Sequence, residues 1–399
     1  AVRSDGGKGS GMSQVGKPRV VVLGIAAQYP LAGVTWQAIH YLVGLRDLGC
    51  DVFYVEDAGA PPYDPVSGGI GTAADANVAF LADVMRRYDF GDRWAYWDSL
   101  TDTWHGHDAA EVRELYRTAD AIFNLCGATS LRPEHRQGAK LCYVETDPIY
   151  EQMRVANGDE DSIGFLAAHD VLFTYGELLG TPSCTVPVER FTWVPTRPPV
   201  VLDCWRPSSE GRSFASIATW ENKGKNVEFR GETYYWSKHI NFLRMIDVPR
   251  VSGEPFELAM DPGDDAVRTR LASHGWSLVD PRPISADVDA YRAYVDRARG
   301  EFTVAKDIYV RPRSGWFSDR SVCFLAAGKP VVTQETGFSE FLPSGKGLLA
   351  FSTEEEAVEA VRAVAADWTV HSRAARAVAE EHFAAGKVIG AMLVAAGLR

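Results

Sequence analysis

The sequence predicts a two-domain α/β protein in which each domain is a doubly wound, mainly parallel sheet with helices on both faces. Three observations support this fold class. Short apolar runs rich in β-branched residues alternate with segments of helical periodicity in both halves of the chain. A proline-rich stretch at residues 190–207 separates the halves. The 399 residues, 46% of them hydrophobic, are sufficient for two cores.

The first half begins with a strand, a helix and a second strand. Gly49 follows the helical pattern and is expected to end that helix. Prolines and glycines at 58–71 predict a loop. Strands are predicted at residues 19–25, 51–55, 121–125, 140–144 and 171–174, and helices at 35–48, 77–87 and 109–118.

The second half repeats this alternation after the linker. Strands are predicted at 213–219, 301–305 and 330–333, and helices at 233–245, 318–327, 354–366 and, as a closing segment, 374–395. We interpret residues 1–11 as the remnant of an expression tag, because they are rich in Gly and Ser and precede Met12. The predicted domains are 12–195 and 196–378, followed by a C-terminal helical segment at 379–399.

Composition narrows the classes of function. The formal charge of −12 and the lack of a basic stripe argue against nucleic acid as a partner. No apolar run is long enough to span a membrane, so we expect a cytoplasmic protein that is not an integral membrane protein. The six cysteines are widely spaced and predict buried free thiols. No metal-binding motif is present, and we expect neither a metal ion nor a bound cofactor.

Ligands of open parallel sheets bind beyond the carboxyl ends of the strands, which directs attention to the segment that follows the predicted strand 301–305. Ser318 has the character of an N-cap, and Asp319 suits the first turn of the helix that follows. The start of this helix offers a positive dipole end to a phosphate, and Arg320 adds a bidentate cation. We therefore predict a phosphate site formed by Ser314, Gly315, Trp316, Ser318, Asp319 and Arg320.

The run 315–320, followed by 325–332, resembles the donor-site segment of bacterial GT-B glycosyltransferases. It is most similar to the group that includes the spore-maturation CgeB-like proteins and the group 1 glycosyltransferases. The resemblance implies two facing Rossmann-like domains, with a nucleoside-diphosphate sugar, of UDP or dTDP type, on the second domain and the acceptor on the first. Many retaining members carry glutamates where this chain has Gly315 and Cys323. The stereochemical outcome is therefore left open.

Further donor contacts follow from the same resemblance. The loop after the strand at 330–333 is expected to contact the donor sugar and phosphate through Gln334, Glu335 and Gly337. The loop after the first strand of the second half resembles one that supplies a phosphate-binding lysine. Lys223 is the first candidate for this lysine, and Lys238 is its rival.

Acceptor and base candidates lie at strand ends of the first half. We predict acceptor contacts from Gln28, Tyr29, Gly33, Tyr175 and Glu177. A carboxylate in the cleft is able to take the proton of an acceptor hydroxyl in an inverting transferase. Asp147, directly before a proline, is the first candidate for this base, and Glu145 and Asp57 are the others.

The sequence thus predicts transfer of a sugar from a nucleoside diphosphate to a small natural-product or envelope acceptor in a bacterial protein. Two alternatives remain open at this point. One is a sugar-nucleotide epimerase on the same fold, and the other is a non-catalytic protein that binds glycans or assembles in an envelope layer. The oligomeric state is also open.

Overall fold

The computed structural model describes residues 17–65, 67–188, 190–222 and 224–399. The predicted tag remnant at 1–11 and Lys223 lie outside these residues. The strands are β1 (Arg19–Leu23), β2 (Asp51–Glu56), β3 (Tyr63–Asp64), β4 (Gly69–Ile70), β5 (Trp94–Asp98), β6 (Thr103–Gly106), β7 (Ala121–Leu125), β8 (Lys140–Glu145), β9 (Val171–Thr174), β10 (Trp193–Pro195), β11 (Phe214–Ile217), β12 (Val227–Phe229), β13 (Glu232–Tyr234), β14 (Phe256–Ala259), β15 (Trp276–Val279), β16 (Gly300–Thr303), β17 (Val331–Gln334) and β18 (Leu348–Phe351).

The helices complete the two halves. They are α1 (Ala32–Asp47), α2 (Asp75–Arg87), α3 (Ala109–Thr118), α4 (Tyr150–Ala156), α5 (Glu160–Ala167), α6 (His239–Arg244), α7 (Val248–Ser252), α8 (Asp265–Ser273), α9 (Pro281–Ser285), α10 (Val288–Asp296), α11 (Asp307–Val310), α12 (Asp319–Ala326), α13 (Glu354–Ala366), α14 (Trp368–Val378) and α15 (Ala385–Ala395). Short 3₁₀ turns occur at Pro133–His135, Leu202–Cys204 and Phe338–Glu340, and a π-helical turn at Ala379–Phe383 joins α14 to α15.

The N-terminal sheet has the order β10-β9-β8-β7-β1-β2-β5-β6. All neighbours in it are parallel except β5 and β6, which form an antiparallel hairpin at one edge. The central strand β1 is almost fully buried, as a strand covered by helices on both faces must be. The prolines after residue 190 do not prevent β10 from forming, because it is an edge strand.

The C-terminal sheet is parallel throughout, in the order β15-β14-β11-β16-β17-β18. Three of its strands, β14, β15 and β18, were not predicted from the sequence. The helix predicted at 233–245 is wrong for its first part. Positive φ angles at Arg230 and Gly231 form a tight turn there, so that β13 pairs with β12 and the helix α6 begins only at His239.

The C-terminal helix α15 returns to the N-terminal domain and packs against α1. A Cβ atom on Gly44 of α1 would lie 2.5 Å from Ile389 of α15, so a glycine permits this close approach. Beside it, Val200 and Ala384 form a parallel bridge. The chain therefore passes between the domains twice.

The two domains also touch along one side of the cleft. The hairpin of β12 and β13 packs near α4, and Leu178 of the N-terminal domain inserts between two glycines of the other domain. A Cβ atom on Gly315 would lie 2.9 Å from Leu178, and one on Gly337 would lie 2.4 Å from it. We call this contact the Leu178 socket. It holds the domains together on the side where β8 and β9 face β16 and β17.

Candidate active site

A cavity of about 900 Å³ lies between the two domains. Its N-terminal wall is formed by the start of α1 and by the hairpin of β3 and β4. Its C-terminal wall is formed by the ends of β11 and β14, by α9 and by the start of α12. The cavity therefore lies at the carboxyl ends of both sheets, as expected for open parallel sheets. Four of the predicted residues line it: Gly33, Ser318, Asp319 and Arg320.

Two helices begin at this cavity. The Ser318 side chain caps α12 by accepting a hydrogen bond from the Arg320 amide at 3.3 Å. The N-cap of α1 is Leu31, which has no side chain able to cap the helix. The amides of the first turn of α1, which includes Gly33, therefore remain available to an anion.

Arg320 is held firmly beneath the cavity. Its Nε donates to the carboxylate of Glu301, which is fully buried on β16. Its two terminal nitrogens donate to the Ile217 carbonyl at 2.7 Å and to the Thr303 hydroxyl at 2.8 Å. Three of its five N–H groups are thus used, and two remain for a ligand.

Lys238 is 8% exposed and lies near Arg320 and Lys306 without lining the cavity itself. Burial lowers its pKa well below the usual value, and the positive charges of Arg320 and Lys306 act in the same direction. The carboxylates of Glu301 and Asp147 act against them. An anionic ligand near Lys238 and Arg320 would favour the charged form of this lysine, so the pair favours binding of an anion.

We call Lys238, Lys306, Arg320, Asp147 and Glu301 the charged cluster. Lys306 follows β16 and donates to Asp147 of the N-terminal domain at 2.7 Å, and the Tyr309 hydroxyl donates to the same oxygen. Desolvation raises the pKa of Asp147, but the charge and hydrogen bond of Lys306 outweigh it and hold this pKa below its usual range. Three basic side chains and two carboxylates therefore lie together in the cluster.

The loop that carries Asp147 is fixed by Glu145. Its buried carboxyl group accepts hydrogen bonds from Gln152 at 2.8 and 2.9 Å and from Thr174 at 2.6 Å. Gln152 in turn accepts a bond from the amide of Ile149, whose φ of 84° is strained for a β-branched residue. Burial raises the pKa of Glu145 to about 8. Because its carboxyl group is buried and bonded to Gln152 and Thr174, we expect Glu145 to position this loop and not to contact a substrate.

Asp57 is also enclosed. It accepts hydrogen bonds from Arg132 at 2.5 Å, Tyr116 at 2.7 Å and His135 at 2.9 Å. Desolvation raises the pKa of Asp57, but these partners outweigh it and lower the value overall. This carboxylate lies in an internal network and does not line the cavity. None of the three candidate bases is among the residues that line the cavity, and Asp147 alone has a substantially exposed side chain, at 43%.

Asp319 connects the two domains at the cavity. Its carboxyl group accepts a hydrogen bond from Gln37 of α1 at 3.1 Å and one from the Tyr175 hydroxyl at 3.4 Å. Tyr175 also bonds to Tyr41 at 2.9 Å. Burial, followed by the charge of Asp147, raises the pKa of Asp319 to about 7. Tyr175, predicted as an acceptor contact, therefore contacts Asp319 in this structure.

Several predicted donor contacts have protein partners instead. The amide of Gly315 donates to Thr336, and that of Gly337 donates to Glu335. Both glycines form the Leu178 socket, in which a side chain has no room. The buried Gln334 accepts a bond from the Ala305 amide at 3.2 Å. The structure therefore places these residues in packing and internal bonding.

Ser314 and Trp316 belong to the same contact region. The Ser314 hydroxyl donates to Tyr309 at 3.0 Å, and the Trp316 indole donates to the carbonyl of Thr146 at 2.9 Å. Trp316 of the C-terminal domain thereby holds the residue that precedes Asp147 in the N-terminal domain. Of the remaining acceptor candidates, Glu177 pairs with Arg197 at 2.5 Å. The Gln28 amide donates to Glu56 at 2.9 Å, and Tyr29 is 39% exposed.

Sequence reasoning missed Lys306, Glu301, Gln37 and Tyr63 as site residues. Lys306 satisfies the strand-end rule that selected the other candidates, since it lies just after β16. Glu301, Gln37 and Tyr63 have no local sequence signal, because they join the site only through contacts between distant segments. Within the described ranges, no three His, Cys, Asp or Glu residues are grouped so as to hold a metal ion. No helix in these ranges is long and apolar enough to cross a bilayer.

Comparison with solved structures finds the same architecture in glycosyltransferases. AviGT4, involved in avilamycin A biosynthesis, is 15% identical, with a TM-score of 0.53 over 95% of this chain and 97% of that one. An alpha-glucosyltransferase in complex with UDP and DNA is 10% identical, with a TM-score of 0.58 over 96% and 100% of the two chains. Alr3699/HepE of Anabaena, in complex with UDP and glucose, is 10% identical, with a TM-score of 0.52 over 95% and 100%.

These similarities show the fold, and the chain has the GT-B architecture of two facing Rossmann-like domains with a cleft between them. The fold predicted from the sequence is thereby confirmed. No protein-family model matches the sequence. A search of curated proteins also found no match.

Proposed function

We propose that this protein is a glycosyltransferase that takes a sugar from a nucleoside-diphosphate donor bound in the interdomain cavity. The observation that carries the proposal is Arg320 in the cavity wall at the start of α12, with two N–H groups that the described residues do not use and the largely buried Lys238 nearby. A diphosphate supplies the negative charge that this arrangement lacks. The fold, shared with glycosyltransferases solved in complex with UDP, is consistent with this ligand.

The two ends of the donor have different surroundings. The diphosphate would lie between the first turn of α1 and the pair Lys238 and Arg320. The nucleoside would extend along the C-terminal wall toward the ends of β11 and β14 and toward α9, which form the rest of the cavity on that side. The sugar would then face the cleft floor near Asp147, whose remaining carboxylate oxygen is free to accept a hydrogen bond from a substrate hydroxyl.

Departure of the nucleotide increases negative charge on its terminal phosphate. Lys238, Arg320 and the α1 amides are fixed before the reaction, so they stabilise this charge without reorganisation. We propose that this arrangement is sufficient for the chemistry without a metal ion. Turnover unchanged by a chelator would support that proposal, and restoration of lost turnover by added Mg²⁺ or Mn²⁺ would contradict it.

The test of the donor site is calorimetry with UDP, dTDP, GDP and ADP on the wild type and on Lys238→Gln. We expect at least one nucleotide to bind and Lys238→Gln to weaken it by about tenfold or more. Lys140→Gln, which changes the exposed first residue of β8, is the matched control. Absence of binding by all four nucleotides, or equal binding by wild type and Lys238→Gln, would disprove the proposed site.

Turnover of the corresponding nucleotide sugar then separates a transferase from an epimerase. A transferase releases the nucleotide and passes the sugar to an acceptor or slowly to water. An epimerase returns an altered nucleotide sugar with no acceptor present. Formation of the epimer as the main product would replace our proposal by that alternative.

A further inference from the structure

The N-terminal rim of the cavity carries an exposed apolar surface. The side chain of Ile70 is 79% exposed, and Tyr29 is 39% exposed. Tyr63 lies between them: its ring centroid is 5.7 Å from that of Tyr29, and it pairs directly with Ile70 across β3 and β4. Directly paired residues of an antiparallel ladder point to the same face. We call Tyr29, Tyr63 and Ile70 the aromatic face.

This face is held in place by buried hydrogen bonds. The Tyr63 amide donates to the carbonyl of Gln28 at 2.7 Å. The side chain of Asn77, which is buried, donates both to Ala27 at 2.8 Å and to Tyr63 at 3.0 Å. The loop after β1 and the hairpin are thereby tied to α2. A surface fixed before binding loses little conformational entropy when a ligand docks on it.

The aromatic face continues into the proposed donor site. Tyr63 lines the same cavity as Asp319 and Arg320, together with Pro65 and Gly68 of its hairpin. The cavity of about 900 Å³ is at the upper end of the range of roughly 300 to 1,000 Å³ for small-ligand sites. A second substrate therefore has room beside a nucleotide.

The segments that form this rim contain no cation. Residues 24–34 and 58–71 include no lysine, arginine or histidine, and their one charged residue is Asp64. An anionic group docked here would lose water without gaining a counterion from these segments. DNA binding, by contrast, depends on cations that neutralise phosphates. An uncharged ligand fits these properties.

We propose that the aromatic face binds the acceptor and selects a neutral glycoside, whose ring lies on Tyr29 and Tyr63. This inference rests on the proposed function. The apolar face of a sugar or aryl ring packs on the two tyrosines and Ile70, while its hydroxyl groups reach water and the tyrosine hydroxyls. The acceptor hydroxyl then points into the cavity toward the donor.

The experiment compares two probes that differ in one charge: para-nitrophenyl β-D-glucoside and para-nitrophenyl β-D-glucuronide. Binding of each is measured by ligand-observed NMR titration with the full chain saturated by the nucleotide selected in the calorimetric panel. We expect the glucoside to bind at least about fivefold more tightly than the glucuronide. Tyr29→Ala and Ile70→Ser are expected to weaken glucoside binding by about threefold or more.

Two variants serve as controls. Tyr235→Ala removes a tyrosine of equal exposure, 39%, on the other domain, and Val394→Ser changes an apolar residue that is 61% exposed on α15. Both are expected to bind the glucoside as the wild type does. Nucleotide affinity is measured in every variant, so that failure of the donor site is recognised separately.

The inference is overturned if nucleotide binding is intact and the glucuronide binds as well as the glucoside. It is also overturned if the glucoside does not bind at millimolar concentration, or if Tyr29→Ala and Ile70→Ser leave its affinity unchanged. A wild-type protein that binds none of the nucleotides would instead refute the proposed function.

Discussion

Asp147 of the N-terminal domain and Lys306 of the C-terminal domain form an ion pair 2.7 Å long across the floor of the cleft. Tyr309 donates to the same carboxylate oxygen, and Trp316 fixes the loop before it. Because Lys306 lowers the pKa of Asp147, this carboxylate remains ionised at neutral pH and is a weak proton acceptor. We therefore expect it to orient Lys306 and a substrate hydroxyl.

Asp147→Asn tests this role. Lys306 would lose its counterion, so its pKa, already lowered by burial, would fall further. We expect donor turnover to fall by about tenfold or more while nucleotide affinity changes by less than about threefold. Asp83→Asn, in a surface ion pair of α2, is the control and should turn over the donor normally. Unchanged turnover in Asp147→Asn would contradict the assignment.

Lys238 predicts a pH dependence of donor binding. Its pKa is lowered in the free protein, so a fraction of the side chain loses its charge as pH rises toward the usual lysine range. A bound diphosphate favours the charged form, and binding therefore takes up a proton. Calorimetry from about pH 7 to about pH 9 should show weakening affinity and a binding enthalpy that depends on the buffer. Lys238→Gln should show a smaller pH dependence than the wild type, and an undiminished pH dependence would show that another group is responsible.

Ionisation of Asp319 should also weaken nucleotide binding as pH rises, but removal of this side chain should tighten binding, whereas removal of Lys238 should weaken it. The Asp319 pKa of about 7 means that this side chain is largely neutral at pH 6 and largely ionised at pH 8, close to the proposed diphosphate. An ionised carboxylate repels the ligand. Asp319→Asn should therefore tighten nucleotide binding by about threefold or more at pH 8 and have little effect at pH 6. Equal effects at both pH values would show that the titration of this group is not involved.

The strand-end rule selected several residues that line the cavity, because the rule depends on local sequence patterns. The strand β16, the capping residue Ser318 and the helix α12 are encoded by adjacent residues, so Ser318, Asp319 and Arg320 were found at the cavity. Gly33 was found in the same way after β1.

The contacts of residues with distant partners could not be predicted from the sequence. Gly315 and Gly337 resemble amide donors in sequence, but Leu178, from the other domain, occupies the space beside both. Asp57 and Glu145 follow the strand-end rule too, yet Arg132 and Thr174 approach them from other segments and make them internal. Sequence spacing contains no information on which remote side chain satisfies a carboxylate.

The Leu178 socket should contribute strongly to stability. Leu178 is 6% exposed, and truncation to alanine would leave a void between Gly315 and Gly337. We expect Leu178→Ala to lower the free energy of unfolding by about 2 to 5 kcal/mol. Leu100→Ala, at a position 44% exposed, should lower it by less than about 0.5 kcal/mol. Urea denaturation followed by fluorescence measures both, and similar midpoints for the two variants would contradict the packing role.

Glu145→Gln tests whether this carboxyl group stabilises the fold or takes part in the reaction. Its pKa rises from about 4.5 to about 8 in the folded protein, so the unfolded chain ionises at lower pH than the folded chain. The stability contributed by the neutral form is thus complete below about pH 4.5 and is lost as pH rises through about 8. Each pH unit in this window changes the free energy of unfolding by about 1.4 kcal/mol.

Glutamine at position 145 cannot ionise, so the urea midpoints of Glu145→Gln should fall less between pH 5 and pH 8 than those of the wild type. The exposed Glu114→Gln should follow the wild-type profile. Glutamine retains an oxygen that can accept the hydrogen bond of Thr174, so turnover by Glu145→Gln should stay within about threefold of wild type. Loss of turnover with an unchanged stability profile would make Glu145 a catalytic candidate again.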